Sequence, residues 1–470
     1  MKKGRLYNRQ EIEIISNSAI GKSINDILDE EVITIEDKSY PNKGGLGQMV
    51  EQFLFGIQTN SDSEPDFMPA GIELKVTPYK KLKDGKLSAK ERLVLNIIDY
   101  MSEYKNEFKS SHFWFKNNTI QLLWYLWEPN KDTKDLKITH EKLLELVKNE
   151  DLKQIEEDWN FIIKKIKEGK AHEISEADTM YLGACSKGAN ASSVRQQPFS
   201  DIPAMQRAFC FKNSYMTQLV RKYIGDYSNV ESILENSNML FDDYVKSITA
   251  KYIGKTLTEL KEILNITGKT KDDCSRVVNR MFNLKRGLNE TEEFAKANII
   301  SKTIRVEKSR KIKEDISFPA FKFSELIKET WYDSELKNQL ETTKYMFFIF
   351  RNNGKDYIFD GFKKFNMPET IIEEVIKPFW IETVNTIKHG VKFTKKGKKI
   401  FNDLPGVSHN GYMHVRPHAN KSAYKLNDGT VRGDVTKDGD MLPNGEWMTK
   451  QAFWFNRSYI KEIICGDINE

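Results

Sequence analysis

Cysteine is scarce in this chain. Four residues of 470 (Cys185, Cys210, Cys274 and Cys465) lie far apart and form no CxxC pair. That excludes a disulfide framework and a zinc ribbon, and it suits a reducing compartment. Long apolar runs are also missing. The most apolar stretch, Tyr345 to Phe350, has core-strand length, well short of the ~18 residues of a membrane span. The N-terminal MKKGRLYNRQEIEI is positive but has no apolar segment behind it, so no secretion signal is expected and the chain reads as cytoplasmic. Charge of one sign is lacking as well: 73 Lys and Arg stand against 68 Asp and Glu, which excludes a histone-like electrostatic binder. Two cofactor signals fail on inspection. Gly21-Lys22-Ser23 has Ser16 where a phosphate loop needs glycine, and His409, His414 and His418 fit no common zinc spacing.

What is present is a globular composition, 39% hydrophobic and 30% charged, at a length that fits two or three domains. Charge is unevenly spread. Residues 1–250 hold 34 basic and 38 acidic side chains, while 251–470 hold 39 and 30, a hint that the second half meets a polyanion. Its basic run Lys392 to Lys399 reads as a solvated loop within reach of phosphates.

Four landmarks recur in order. Ile20-Gly21-Lys22-Ser23 is echoed by Ile253-Gly254-Lys255-Thr256, and Val50-Glu51 by Val278-Asn279. Trp159 with Gly169 is echoed by Trp380 with Gly390, and Ala208-Phe209-x-Phe211-x-x-Ser214-Tyr215 by Ala452-Phe453-x-Phe455-x-x-Ser458-Tyr459. The order predicts two domains of one fold, 1–230 and 250–470. Gly47 to Phe55 has helical periodicity, Ile72, Leu74 and Val76 alternate as in a strand, and Ile120 to Trp127 reads as a buried strand. Trp159, Ile162, Ile163 and Ile166 mark an amphipathic helix. Interleaved helices and strands make the class α/β with a mixed sheet.

The sharpest chemical signal is SEPDFMPAGIELKVTP, residues 63–78. Glu73 and Lys75 sit two apart on a predicted strand, so they share a face at about 7 Å, opposite the apolar one. A tight hairpin would bring Asp66 back beside Glu73. Two carboxylates there make a hard-oxygen site for Mg²⁺, and an adjacent lysine suits metal-assisted phosphodiester hydrolysis. The bland alternative is a surface ion pair. Glu51, on an otherwise apolar helix, either lies at a solvated edge or faces this site.

The order Lys43-Gly44-Gly45-Leu46-Gly47, Glu51, Asp66, Glu73, Lys75 resembles the MutH family of DNA endonucleases, part of the PD-(D/E)xK nuclease group. Ser111-His112, Lys116, Asp158-Trp159, Tyr181-Leu182 and Lys187-Gly188-Ala189-Asn190-Ala191 continue the likeness. Over the whole chain, GIELKVTPYKKLKDGK, SAKERLVLNII, EGKAHE, KGANASS, HVRPHAN and EWMTKQAFW are similar to the two-domain, GATC-specific type II restriction endonucleases of the Sau-three-A-I type. The resemblance implies two tandem MutH-like restriction-endonuclease-fold domains, each a mixed central sheet flanked by helices. It implies Mg²⁺-dependent hydrolysis of double-stranded DNA at GATC, with Mn²⁺ able to substitute, leaving 5′-phosphates. Asp66 and Glu73 then bind the metal, Glu51 supports it or a second metal, Lys75 orients or activates water, and Lys116 touches the scissile phosphate or assists Lys75. Lys187, Asn190 and Lys212 meet DNA in the first copy, and Arg416, His418 and Asn420 in the second. The resemblance also implies two chains pairing on DNA, and a methyltransferase in the same cell that forms no stable complex with the nuclease. One departure stands out: Cys185-Ser186 occupies the place of the family's Arg-Pro, so base contacts do not transfer to Cys185.

Aligning 295–306 with the metal motif puts Lys302 over Lys75, Ile300 over Glu73, Glu293 over Asp66 and Asn279 over Glu51. Isoleucine cannot ligate Mg²⁺, so the second copy is expected to hold DNA without cutting it, or to act allosterically. Two other functions remain open at this point: a strand-nicking mismatch-repair endonuclease, and a DNA-binding regulator with no nuclease activity.

Overall fold

In the computed structural model, residues 6–30, 45–57, 64–187, 193–227, 229–235, 237–397 and 399–466 are described. Two compact units emerge. One comprises Met1–Tyr244 with Arg286–Ile299, the other Val245–Lys285 with Ile300–Glu470. Compared with the division at 1–230 and 250–470, one segment of the second half, Arg286–Ile299, packs with the first unit. Its Lys296 Nζ donates to both oxygens of Asp151 at 2.8 Å, and Glu293 accepts from the Ile233 and Leu234 amides at 3.1 Å. Among the described residues no helix is long and apolar enough to cross a membrane.

The first unit is built on a four-stranded sheet, β2-β1-β4-β5, of β1 (Glu73–Lys81), β2 (Leu87–Ala89), β4 (Thr119–Leu126) and β5 (Ile138–Glu145). β1 and β4 run parallel, with Glu73 opposite Ile120 and Lys75 opposite Leu122, and the outer strands are antiparallel. The apolar run that predicts β4 is fully enclosed at Ile120, Leu122, Leu123 and Trp124 and half-buried from Tyr125 to Trp127. A strand covered on both faces needs no polar alternation. α1 (Arg9–Ser18), α2 (Ile24–Glu30) and α3 (Leu46–Met49) share one core with Phe67, Leu74 and Leu123. α1 starts in a capping box between Asn8 and Glu11. α4 (His112–Asn117) leads into β4, and α5 (Leu152–Lys167) buries Trp159, Ile162, Ile163 and Ile166, the stripe its periodicity predicts. A second sheet, β3-β9-β6, joins β3 (Leu93–Ile97), β6 (Leu182–Ser186) and β9 (Arg207–Phe211). β7 (Val194–Gln197) and β8 (Ser200–Met205) form a hairpin in the connection from β6 to β9, and α6 (Asn213–Tyr223) follows.

The second unit repeats this plan. β10 (Ile299–Val306), β12 (Lys344–Asn352) and β13 (Tyr357–Phe365) form the sheet β10-β12-β13. β11 (Ser317–Phe321), β16 (Met413–Pro417) and β21 (Gln451–Phe455) form β11-β21-β16. The landmarks recur as contacts. Gly21 N–H donates to Ile138 O at 2.7 Å and Ile138 N–H to Lys22 O at 2.9 Å; Gly254 and Phe359 make the same exchange, with Lys255 O as second acceptor, at 2.9 Å each. Both glycines need positive φ, +87° and +83°. Cys185 lies opposite Ala208, and Arg416 opposite Ala452, so the two second sheets share one register. The units differ in the connection before the last strand. Where the first has β7 and β8, the second has a sheet of β17 (Tyr424–Lys425), β18 (Val431–Arg432), β19 (Gly439–Met441) and β20 (Trp447–Thr449). The basic run expected as a loop is part of a ribbon of β14 (Phe393–Lys396) and β15 (Lys399–Asn402), because Thr394, Ile400 and Phe401 give it strand formers to pair.

Candidate active site

The site gathers at the start of β1. Phe67 pairs with Ile72 as an isolated antiparallel bridge, with Phe67 N–H donating to Ile72 O at 2.9 Å. Between them Met68–Ala70 make one 3₁₀ turn, closed by Gly71 at φ +63°. This is the expected hairpin, and it sets Asp66 beside the strand. Asp66 Oδ2 accepts from the Leu74 amide at 2.9 Å, and the Asp66 amide donates to Glu73 Oε2 at 3.3 Å.

Glu73 is 2% exposed, which removes the surface ion-pair reading and corrects the simple two-faced strand. Leu74 on the opposite face is 3% exposed, so both faces of β1 are covered here. Buried carboxylates need partners. Lys75 Nζ lies 2.7 Å from Glu73 Oε1, and Lys116 Nζ lies 3.5 Å from Oε2. Lys116 comes from the last turn of α4 and also donates to Glu64 O at 2.8 Å, which ties α4 to the chain just before Asp66.

Glu51 arrives from a different direction. It sits in a π-helical segment, Val50–Leu54, that continues α3. Such widened turns recur where a side chain must be re-aimed. Burial pushes its carboxyl up to about 7, followed by repulsion from Asp66, with Lys75 opposing. Burial, then the Glu73 charge, pushes Asp66 up to about 6. Glu51 and Asp66 both feel Glu73 and the same two lysines, so Glu51, Asp66, Glu73, Lys75 and Lys116 are one electrostatic cluster. The excess negative charge is of the hard-oxygen kind that divalent cations neutralise. Among the described residues no three His, Cys, Asp or Glu side chains stand close enough to hold a metal ion between them.

The nucleic-acid candidates fare differently. Lys187 is exposed at the end of β6, its amide donating to Gln206 O at 2.7 Å. Asn190 lies outside the described residues. Lys212 is corrected: it is 1% exposed, with Nζ donating to Thr179 O, and burial pulls its ammonium down. A side chain enclosed by the protein positions its neighbours instead of meeting a phosphate. In the second unit Arg416, His418 and Asn420 are all exposed. The Arg416 guanidinium lies 4.8 Å over the Trp454 ring, and the His418 ring is 5.5 Å from it.

Two positions carry no signal in the motif arithmetic. Asp158 is buried, and its carboxylate accepts from the amides of Met180, Tyr181 and Leu182 at 2.8, 2.6 and 2.9 Å. It fixes the entry to β6. Trp454 fills the unconserved-looking x of the Ala-Phe-x-Phe landmark, where the first copy has Cys210. In the first unit the register equivalents Cys185 and Cys210 are a buried, hydrogen-bonded thiol pair. The second copy's alignment also sharpens. Glu293, set over Asp66, spends its carboxylate on Ser232 and on the two amides after it, while Lys302 is exposed.

Comparisons with known proteins agree with this geometry. The family described as DNA mismatch repair enzyme MutH matches residues 55–158, the span that holds the cluster apart from Glu51. The DNA mismatch repair protein MutH of Shewanella woodyi is 25% identical over 46% of this chain and 93% of its own length, and that of Vibrio cholerae is 23% identical over 46% and 96%. The type II restriction enzyme Sau3AI of Staphylococcus aureus is 39% identical over 97% of this chain and 98% of its own length. A match that spans both units, with a buried acid–lysine cluster inside the MutH region, places this chain in the family of Sau3AI-type restriction endonucleases.

Proposed function

We propose that this protein hydrolyses double-stranded DNA at GATC with Mg²⁺, leaving 5′-phosphates, and that only its first unit cuts. The observation that carries the reading is the buried Glu73 between two lysines with Asp66 bound to its strand. Mg²⁺ takes one or two carboxylates and keeps several waters, so Asp66 and Glu73 fit it in kind, with Glu51 as a third charge. When bound, the ion supplies charge neutralisation at the scissile phosphate and acidifies water; Mn²⁺ should serve in its place. The chain's own groups do the rest. Lys75 orients the attacking water along the line of the bond to be broken. Lys116 faces the phosphate, where its charge offsets what develops in the transition state. Water oxygen joins phosphorus, the bond to O3′ breaks, and the 3′ oxygen leaves as a hydroxyl.

Lys187 and Asn190 would contact DNA in the first unit, and Arg416, His418 and Asn420 in the second, which binds without cutting. The division of labour between 1–230 and 250–470 rests on the missing carboxylates at Ile300 and Asn279. A palindrome has two scissile phosphates and each chain one centre, so two chains should meet on DNA. A cytoplasmic setting, with a methyltransferase guarding the cell's own sites, completes the reading.

The test is direct. Purified protein with Mg²⁺ should linearise a plasmid containing GATC, and sequencing should show 5′-phosphate ends. Glu73→Ala should abolish cleavage while sparing binding, and Lys302→Ala should leave cleavage intact. Equal loss from both substitutions, or intact DNA under varied salt and protein concentration, would overturn the proposal. Nicked circles that never linearise would favour the mismatch-repair alternative.

A further inference from the structure

The hairpin β7–β8 ends on an aromatic side chain that the fold leaves bare. Phe199 is 68% exposed, the most open aromatic ring among the described residues. Its backbone has φ +63°, a conformation that bulky residues avoid and glycine favours. The turn is nonetheless held firmly. Gln197, 5% exposed, accepts from the Ala171 amide at 2.8 Å and donates to Ile202 O at 2.5 Å. Gly169 lies so close beneath that a Cβ there would stand 2.5 Å from Phe199 O. The ring meets the edge of Tyr104, at 5.4 Å between centroids. A strained, rigidly mounted and solvent-facing phenyl is a feature the fold maintains against its own preference, and such outliers point to function.

We propose that Phe199 is a wedge for duplex DNA, entering a groove and parting a base step beside the bound sequence. This rests on the DNA-cleaving reading above. Three observations favour DNA over a protein partner. The hairpin continues directly from Lys187 and the segment proposed to meet DNA. Lys187 before the hairpin and Arg195 on it are exposed and basic, and together they outweigh the exposed Asp201 beyond the ring, while Lys170 is paired with Glu168 at 3.6 Å. Val194 and Ile202 are also exposed on the hairpin, yet three side chains remain far short of the roughly 800 Å² per partner of a stable protein interface, and the projecting ring is the size of the apolar wedges that kink DNA. The second unit, proposed not to cut, has a small sheet in this connection in place of the hairpin.

The experiment uses the full chain and GATC duplexes carrying 2-aminopurine at successive flanking positions, without divalent metal. Wild-type binding should raise fluorescence at one step, where stacking is lost. Phe199→Ala should abolish that rise and weaken binding about tenfold, whereas Phe199→Trp should retain both. Phe199→Gly relieves the backbone, so it should melt no lower than wild type and still lose the signal. An unchanged rise in Phe199→Ala, or no rise at any position with a wild-type protein that cuts GATC, overturns the wedge. A change in the sedimentation of DNA-free protein on substitution would overturn it in favour of self-association. Failure of the wild type to cut GATC at all would instead sink the reading on which the wedge rests.

Discussion

Glu51 and Asp66 show how a site stores charge that it does not need for folding. Their carboxyls titrate at about 7 and about 6, against 4.5 and 3.8 for the free groups. Between those values the folded chain holds protons that the unfolded chain has released. Their contribution to stability is therefore complete below about pH 4 and is lost as pH rises through 6 to 7. The melting temperature of metal-free protein should fall between pH 5 and 8 by more in wild type than in Glu51→Gln. Magnesium should raise it more at pH 8 than at pH 5.5, and equal slopes in the two proteins would refute this. Lys212 makes a contrasting case. Lys212→Met removes the donor to a buried Thr179 carbonyl and should cost about 1–3 kcal/mol, whereas Lys187→Ala should leave stability alone and weaken DNA binding more at low salt than at high. A Lys212→Met protein that melts normally yet binds DNA poorly would restore Lys212 as a contact.

At the level of elements, two short devices position the chemistry. The hairpin from Asp66 to Glu73 depends on Gly71, whose left-handed backbone has open space around it, with nothing within 4 Å of a would-be Cβ. Gly71→Ala should therefore cost only the conformational term, about 1–2 kcal/mol, and should lower the cleavage rate because Asp66 shifts against Glu73. Full activity in a destabilised Gly71→Ala protein would show that the hairpin tolerates slack. The second device is the Asp158 carboxylate, which gathers three consecutive amides at the head of β6. Asp158→Asn should loosen β6, seen as faster hydrogen exchange at Leu182–Cys185, and should raise KM for DNA more than it lowers kcat. The hairpin was legible because Asp-x₆-Glu-x-Lys spacing states both the turn and the strand. The Asp158 anchor was not, since an aspartate within an amphipathic helix looks the same whether it faces water or a distant strand.

Across the whole molecule, one plan is used twice with different outcomes. Matching contacts at Gly21 and Gly254, and matching register at Cys185 and Arg416, join the two units through features that survive where the carboxylates do not. The proposed single cutting centre per chain predicts that plasmids with two GATC sites are cleaved faster than plasmids with one, and that the rate rises more steeply than first order in enzyme. Strict first-order behaviour, indifferent to site number, would argue that single chains nick each strand in turn.

The sequence by itself determined the α/β class, the repeat and the trio Asp66, Glu73 and Lys75, because spacing along a strand and order along a chain are local properties; Lys116 and the role of Glu51 came from the family resemblance. Aligning the two copies also sets Ile300 over Glu73, the basis for proposing that the second copy does not cut. Only the tertiary structure decided that Glu73 is buried between two lysines, that Lys212 points inward, that Arg286–Ile299 packs with the first unit, and that Phe199 stands bare on a strained turn. Each of these depends on what covers a side chain from another part of the fold. Burial is set by neighbours hundreds of residues away as readily as by those next in line, so no local pattern could carry it.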